Sequence, residues 1–318
     1  MESDQESNDA AQAGSTNFGV NGRNGGMQEF SPISAATRLL SAPTQWTWKP
    51  DSFENCLREL EHASEVFSRS NHAVLYRGQR DSTWLIESTV ARNLKLNWLS
   101  TPTGHQFNER AQNSFELHRL LVSAVLWKFG HAIGPNPELL ALEEQDQEID
   151  SWFELMKRLQ QYPEKEKDWE GLPGTPLVDW SQSADVGLFF ANRHRTSSQS
   201  GAIFIVDATA IGKVQMTIKV AEILRILENN LHERAPGLPL LFCPSRQTKM
   251  LRASRQSARY FMHMDLRYDL GQIWRIHEQN IGKRVLLKLI LPAGTDEAIA
   301  SYLHQKGLDE SFVMVNEG

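Results

Sequence analysis

The sequence predicts an α+β domain, and three observations support this fold class. The chain has 318 residues, of which 40% are hydrophobic and 23% charged, a composition typical of a soluble globular protein with a full core. Short β-type runs and amphipathic helical patterns follow one another in mixed order, without the regular βαβ alternation of a doubly wound sheet. The sequence contains no internal repeat. Its length suits one large domain or two small ones.

The first 30 residues differ in composition from the rest of the chain. They are rich in Ser, Asn, Gly, Gln and acidic residues, with five acids against one arginine and almost no large apolar side chains. Such a segment cannot bury enough apolar surface to offset the entropy of ordering. We therefore expect a disordered tail over residues 1–30 and a folded domain over residues 45–318.

The first predicted element of the domain is a helix that starts near Asp51 and leads into a strand at residues 72–76. Asp51 or Ser52 can cap the first amide groups of this helix. The apolar positions at helical spacing are Leu57, Leu60, Val66 and Phe67. Two longer helical patterns, at residues 108–131 and 137–161, together predict a helical insertion at about residues 105–162.

The second half of the chain predicts further strands and helices. The predicted strands are residues 177–180, 202–206 and 284–291. Three helices are predicted: a short one that begins near Ala184, and two that span residues 219–230 and 296–306. Gly307 follows the last of these helices and is typical of a residue that stops a helix.

The charges, cysteines and histidines argue against several classes of protein. A formal net charge of −6 does not suit a protein that coats duplex nucleic acid through many phosphate contacts. Cys56 and Cys243 are the only cysteines and lie far apart, which predicts neither a disulfide framework nor a structural zinc site. The ten histidines show no His-x-x-x-His spacing, so we expect no metal. No long apolar segment or secretion signal occurs, which predicts a cytoplasmic protein.

The motif Tyr76-Arg77-Gly78-Gln79 ends an apolar strand and is the first candidate for a binding site. A planar guanidinium at such a position can hold a phosphate or ribose oxygen through several hydrogen bonds. Gly78 would let a ligand approach the backbone closely. Alternatively, Arg77 pairs with a buried acid and ties the sheet together.

The second candidate is the segment Asp179-Trp180-Ser181-Gln182-Ser183, about 100 residues further along the chain. Two hydroxyl groups at a strand end suit a ribose, and a flat heteroaromatic ring can stack on Trp180, Phe189 or Phe190. Alternatively, Ser181 or Ser183 caps a helix whose apolar residues fill the core.

A basic stripe surrounds a third segment, at residues 255–262. Several cations on one helix face can follow a phosphate backbone, which indicates a nucleic-acid acceptor. The alternative is a solvated basic face that balances the acids. The basic residues recur at three- or four-residue intervals and are Arg246, Lys249, Arg252, Arg255 and Arg259.

Taken in order, these segments resemble the FRG-domain family over residues 50–315. Members carry an aromatic-Arg-Gly motif, matched here by Tyr76, Arg77 and Gly78, and their layout is similar to ADP-ribosyltransferases of the Arg-Ser-Glu type. The resemblance therefore implies a split β-sheet core with a helical insertion, and NAD as substrate. The segments that carry it are residues 76–79, 84–92, 175–183, 188–191, 255–262, 291–292 and 306–308.

The resemblance also implies roles for individual residues. Tyr76, Arg77 and Gly78 belong to the NAD site, with Arg77 on a phosphate or ribose. Ser181 and Ser183 shape the nicotinamide-ribose pocket, and Trp180 or Phe190 packs near the nicotinamide. Gln256 hydrogen-bonds a ribose hydroxyl, while Ala258 stands where the family has a Glu. Asp179 either orients Arg77 or caps backbone amides, and it is the candidate base if one is needed.

The implied activity is that of a toxin-type ADP-ribosyltransferase that modifies a macromolecule, with RNA as the expected acceptor. The implied setting is a toxin–antitoxin or phage-defence system, with an antitoxin or chaperone as partner. Two alternatives stay open because the usual Glu is missing. One is a non-catalytic module that senses NAD, a nucleotide or RNA, and the other is an NAD glycohydrolase.

Overall fold

The computed structural model describes residues 47–68, 73–93, 174–211, 213–215, 239–242, 251–263, 265–266 and 268–315. Three predicted features lie outside the described residues. They are the tail at residues 1–30, the helical insertion at about residues 105–162 and the helix at residues 219–230.

Strands and helices both occur throughout the described part of the chain. The strands are β1 (Thr47–Trp48), β2 (Val74–Gln79), β3 (Leu177–Ser181), β4 (Gly201–Asp207), β5 (Lys213–Gln215), β6 (Leu240–Phe242), β7 (Ala258–Met262) and β8 (Leu286–Leu291). The helices are α1 (Phe53–Ser68), α2 (Thr89–Asn93), α3 (Ala184–Asn192), α4 (Ala208–Ile211), α5 (Leu251–Arg255), α6 (Leu270–Ile281), α7 (Asp296–Gln305) and α8 (Glu310–Val313).

The strands form one mixed sheet in the order β1-β8-β4-β2-β3-β7-β6-β5. The outer pairs β1–β8 and β5–β6 are parallel, whereas every other neighbouring pair is antiparallel. Helices of several lengths cover the sheet without a βαβ alternation. This architecture agrees with the α+β class that the sequence predicts.

The sheet consists of two four-stranded halves that meet between β2 and β3. All six residues of β2 pair with β4, and all five residues of β3 pair with β7. Between β2 and β3, the described register contains the single pair Tyr76↔Ser181. We call the line between these two strands the seam. Arg77 follows the pair on β2, and Trp180 precedes it on β3.

Each face of the sheet carries its own hydrophobic core. One core contains residues of α1, α3, α7 and α8, and we call that side of the sheet the α3 face. The other contains residues of α4 and α6, and we call it the α6 face. Because side chains alternate along a strand, Leu75 and Arg77 point to the α6 face, whereas Tyr76 and Gly78 point to the α3 face.

Local signals account for the predicted elements that the structure contains. Helix α1 begins two residues after Asp51, and Ser52 rather than Asp51 caps it, because the Ser52 Oγ accepts from the Asn55 N at 3.2 Å. Helix α7 ends at Gln305, and Gly307 follows in the left-handed conformation with φ of 70°. Strand β2 runs to Gln79, further than predicted, because β4 pairs with it along its whole length.

Helix α6 is the longest of the described elements that were not predicted from the sequence. Asp269 and Gln272 form a capping box at its start, with the Asp269 side chain accepting from the Gln272 N at 3.3 Å. Gly282, with φ of 65°, ends it. None of the helices within the described ranges is long and apolar enough to cross a membrane.

Candidate functional site

Arg77 lies in the seam, just past the single residue pair that joins the two halves of the sheet. Its Nη1 donates to the main-chain oxygen of Asp179 at 2.5 Å, so the side chain replaces a backbone ladder bond that is absent there. The Arg77 Nε is buried and has no hydrogen-bond partner. Arg77 thus ties the two halves together through a carbonyl group, while its buried Nε–H group is not used in a hydrogen bond.

The positive charge of Arg77 forms no ion pair with any carboxylate in the part of the chain that the structure describes. None of the ion pairs in the described part of the chain involves Arg77. Burial lowers the pKa of Arg77 to about 10, with the Asp179 charge acting in the opposite direction. The group is therefore still a cation at neutral pH. Among the described residues, the seam contains no salt bridge from Arg77 to a buried acid, which is the alternative that the sequence leaves open.

A second arginine lies close to Arg77 and was not singled out in the sequence. Arg92, in the last turn of α2, adds a repulsion that lowers the pKa of Arg77 further. Its side chain is exposed, and its Nη2 lies 3.4 Å from the Thr89 Oγ1. The described ion pairs do not include it either. Within the described residues, two neighbouring guanidinium groups that form no ion pair favour an anion between them.

The α6 face beside Arg77 contains further polar atoms without partners. The Gln79 Oε1, Trp180 Nε1 and Trp274 Nε1 are buried and make no hydrogen bond. The Trp180 ring is 3% exposed and packs edge-on against the rings of Phe261 and Trp274, with centroids 5.8 and 5.5 Å away. Trp180 therefore belongs to the core on this face.

Ser181 belongs to the opposite face and has a different environment. Its Oγ donates to the main-chain oxygen of Gln256 at 2.7 Å and accepts from the Ser183 N at 2.9 Å. The Gln182 N also donates to the Ser257 oxygen at 3.0 Å. These bonds join the end of β3 to the turn that precedes β7, and they use the single proton of the hydroxyl group.

Ser183 caps helix α3, as the sequence alternative proposed. Its Oγ accepts from the Val186 N at 3.3 Å, and its backbone is extended at this position. Phe189 on α3 is buried, and Phe190 is half-buried, with their rings edge-on at 5.3 Å. Phe190 and Trp180 consequently lie on opposite sides of the sheet.

The backbone of helix α3 packs directly against the sheet at Gly78. A Cβ atom at Gly78 would lie 1.9 Å from the Gly187 oxygen and 2.3 Å from the Ala191 N. On the α3 face, the space next to Gly78 that was expected to admit a ligand is therefore filled by helix α3. Tyr76 points to the same face and is buried, which raises the pKa of its hydroxyl group.

Gln256 lies in the turn between α5 and β7. Its Nε2 donates to the Val313 oxygen of α8 at 3.0 Å, whereas its Oε1 is in none of the hydrogen bonds within the described ranges. Ser257, the next residue, has φ of 45°, which is unusual for a residue other than glycine. Ala258 is buried and pairs directly with Ser181. The structure thus brings Ser181, Gln256 and Ala258 together.

Three of the five residues in the basic stripe are described, and two of them contact the C-terminal segment. The Arg255 guanidinium lies over the Phe312 ring at 4.9 Å, and the Arg252 Nη2 lies 3.4 Å from the Met314 Sδ. The Arg259 Nη1 donates to the Ala258 oxygen at 2.8 Å. Arg246 and Lys249 lie outside the described residues.

A cavity of about 250 Å³ lies away from the seam, between the end of α3 and the segment from α7 to α8. Its lining includes Phe189, His194 and His304. None of the residues assigned to the NAD site lines this cavity. Within the described ranges, no cluster of three or more His, Cys, Asp or Glu side chains could hold a metal ion.

Comparison with known proteins does not supply a function for this site. No protein-family model matches the chain, and no curated protein or solved structure matches it significantly.

Proposed function

We propose that this protein is an NAD-dependent ADP-ribosyltransferase of the FRG-domain type, and that its NAD site lies at the seam around Arg77. The observation that carries the proposal is the partly buried guanidinium of Arg77, which forms no ion pair with a described carboxylate and whose buried Nε has no hydrogen-bond partner. A buried charge is costly to a fold unless an opposite charge offsets it. Such a group is retained most readily when a ligand supplies that charge.

The diphosphate of NAD has the chemistry that this site needs. A phosphate oxygen can accept from the buried Arg77 Nε, and guanidinium groups bind phosphate through directed, charge-assisted hydrogen bonds. Arg92 supplies a second cation beside it. Two guanidinium groups whose charges act on each other suit two linked phosphates better than a single carboxylate.

The division of the sheet supports the same proposal. Two four-stranded halves joined by the single pair Tyr76↔Ser181 are compatible with the split sheet expected of an ADP-ribosyltransferase-like core. Arg77 on one half and Ser181 on the other flank the line where the halves separate. We propose that the nicotinamide ribose lies toward Ser181 and Ser183, with Phe190 of the same face near the nicotinamide ring. Trp180 belongs to the core of the opposite face.

The proposed reaction is transfer of ADP-ribose to a nucleophile of a macromolecule. The bond between the ribose C1′ and the nicotinamide nitrogen breaks, and its electron pair leaves with nicotinamide. The acceptor nucleophile bonds to C1′ and gives up its proton, for which Asp179 is the candidate base. Ala258 provides no carboxylate, so stabilisation of the oxocarbenium-like state falls to electrostatics and to groups such as the free Gln256 Oε1.

The acceptor and setting are the least constrained parts of the proposal. RNA is the proposed acceptor because Arg252, Arg255 and Arg259 form a local basic group next to the Gln256 turn. The toxin–antitoxin or phage-defence setting, the antitoxin or chaperone partner and the cytoplasmic location follow from the family resemblance alone.

A second candidate function is a non-catalytic sensor that binds NAD or a related nucleotide. Ala258 favours it, because the residue beside Ser181 is buried and has no acidic group. Binding at Arg77 would then occur without transfer.

An assay with NAD labelled in the adenylate group separates these functions. The purified protein is incubated with separate RNA, DNA and protein pools, and the products are analysed for labelled polymer and free nicotinamide. We expect labelled RNA, and loss of labelling in Arg77→Met but not in Arg58→Gln, which removes an exposed guanidinium on α1. Free nicotinamide without labelled polymer would indicate hydrolysis. Binding without turnover would indicate the sensor, and no binding at all would refute the NAD site.

A further inference from the structure

The short C-terminal helix α8 contacts the turn that carries Gln256. Asp309 caps it by accepting from the Phe312 N at 2.9 Å, and Val313 is completely buried in the core of the α3 face. Arg193 holds its first residue, because the guanidinium Nε and Nη2 donate to the Glu310 carboxylate at 3.0 and 2.6 Å. Helix α8 is therefore fixed to the body of the domain at both its ends.

The last carbonyl groups of a helix lack partners within the helix. In α8 two of them accept from the α5–β7 turn: the Arg255 Nη1 donates to the Phe312 oxygen at 3.3 Å, and the Gln256 Nε2 donates to the Val313 oxygen at 3.0 Å. The Arg255 guanidinium also lies over the Phe312 ring at 4.9 Å. The turn is thus bound to α8 through two side chains in sequence.

On its other side, the same turn is bound to the end of β3. The Gln256 oxygen accepts from the Ser181 Oγ at 2.7 Å, and the Ser257 oxygen accepts from the Gln182 N at 3.0 Å. Ser257 has φ of 45° between these two sets of bonds. A left-handed conformation at a serine persists when the surrounding contacts hold it.

We propose that α8 is a clamp that fixes the Gln256 turn, and that Arg255 and Phe312 are positioning residues for the candidate site. They contact neither the seam nor Arg77, and they act through Gln256 on Ser181. The effect on catalysis rests on the proposed function, because it requires Gln256 and Ser181 to border the ribose. The effect on the turn itself does not.

The clamp predicts that loosening α8 slows transfer without weakening NAD binding. Phe312→Ala removes the ring under Arg255, and Arg255→Lys keeps the charge but not the planar stacking. Ser311→Ala is the matched control, since Ser311 is an exposed residue of α8 that hydrogen-bonds Asp309 and does not contact the turn. We expect a single-turnover rate about tenfold lower in Phe312→Ala, with the Kd for NAD within about twofold, and no change in the control.

Hydrogen exchange tests the clamp without relying on activity. The Gln182 amide, bonded to the Ser257 oxygen, reports on the turn, and the Ile205 amide of β4 reports on global unfolding. We expect about tenfold faster exchange at Gln182 in Phe312→Ala, a smaller increase in Arg255→Lys, and no change at Ile205. Unchanged exchange at Gln182, or an equal increase at both amides in both variants, overturns the proposal. Faster exchange in a protein that does not turn over NAD would uphold the clamp and refute the transferase.

Discussion

Arg77 and Ser181 lie on the two strands that border the seam, one residue apart in register, and their polar atoms are used very differently. Ser181 donates its only proton to the Gln256 oxygen and also accepts from the Ser183 N. Arg77 makes one hydrogen bond, to the Asp179 oxygen, and leaves its buried Nε without a partner. The Ser181 side is therefore complete as folded, whereas the Arg77 side is not.

This difference indicates which side is organised to bind and which to support. A satisfied network stabilises and orients its members, while an unsatisfied buried donor destabilises the fold by about 1–3 kcal/mol. Folding alone does not compensate the cost of such a donor, whereas a bound ligand that accepts its hydrogen bond does. We infer that the α6 face at Arg77 makes the principal contact with the anion and that the Ser181 network fixes the geometry of the strand end.

The largest effect on stability is expected at Gly78, which lies on the same strand as Arg77 but faces the side of the sheet on which Ser181 lies. In Gly78→Ala, the new Cβ would overlap the Gly187 oxygen and the Ala191 N, both of which are main-chain atoms of α3. We expect the free energy of unfolding to fall by roughly 3 kcal/mol, because a backbone that is packed against the sheet cannot move aside cheaply. Urea unfolding with an unchanged m-value measures this loss.

Gly187→Ala provides the control for that substitution. Its Cβ would lie 3.0 Å from the Tyr76 Cβ, a tight contact with a side chain rather than with backbone. Alanine is favoured over glycine within a helix by about 1 kcal/mol, which offsets the crowding. If both variants unfold at the same urea concentration, the close approach of α3 to β2 is refuted.

The second largest effect is expected at Arg77, and it separates binding from stability. Arg77→Met should weaken NAD binding by about 2 kcal/mol, or about thirtyfold in Kd, since hydrogen bonds to a charged group are lost. Stability should change by less than about 1 kcal/mol, because removal of a buried charge offsets the lost bond to the Asp179 oxygen. Calorimetric titration and urea unfolding provide the two measurements. If Arg77→Met instead loses much stability and binds NAD as the wild type does, Arg77 supports the fold and does not bind the anion.

Elements with strong local signals could be predicted from the sequence. Helix α1 has a capping serine and regular apolar spacing, and α7 has a glycine stop at Gly307. Strands β5 and β6 have three residues each and depend on pairing with their neighbours, which leaves little local pattern to detect. Helix α6 did have a signal, because Asp269 and Gln272 form a capping box ahead of an apolar face.

The candidate site was harder to predict than the elements that build it. Motifs in the sequence identify Arg77, Ser181 and Gln256 as candidates. The seam that brings them together depends on pairing between strands distant in the chain, which local sequence patterns do not predict. One error was avoidable: neighbouring strand residues point to opposite faces, so Trp180 and Ser181 cannot line the same side of β3. The proximity of Arg92 to Arg77 depends on how the loop before α2 folds back over the sheet.

The effect of Ser181→Ala should be smaller than that of Arg77→Met on binding and larger on stability. The change leaves the Gln256 oxygen and the Ser183 N without their partner, which we expect to lower the free energy of unfolding by about 2 kcal/mol. The Kd of the anion site for inorganic diphosphate should stay within about twofold, since Ser181 faces away from Arg77. Diphosphate is the sharper probe here because it lacks the ribose. If a folded Ser181→Ala protein binds diphosphate more weakly, Ser181 contributes to the anion site, and the division between the two sides is wrong.

The smallest effect is expected at Ser183, where the substitution series distinguishes a cap from a ligand contact. Ser183→Ala removes the acceptor for the Val186 N and should destabilise the protein by about 1 kcal/mol. Ser183→Asp keeps an N-cap acceptor at the start of α3 and should restore stability to within about 0.5 kcal/mol of the wild type. The same Asp brings a negative charge toward the proposed ribose site. If Asp restores stability and also leaves the Kd for NAD unchanged, Ser183 acts as a helix cap alone, and the nicotinamide ribose must lie elsewhere. If Asp restores stability but weakens NAD binding more than Ala does, the cap and the ribose contact coexist in one side chain.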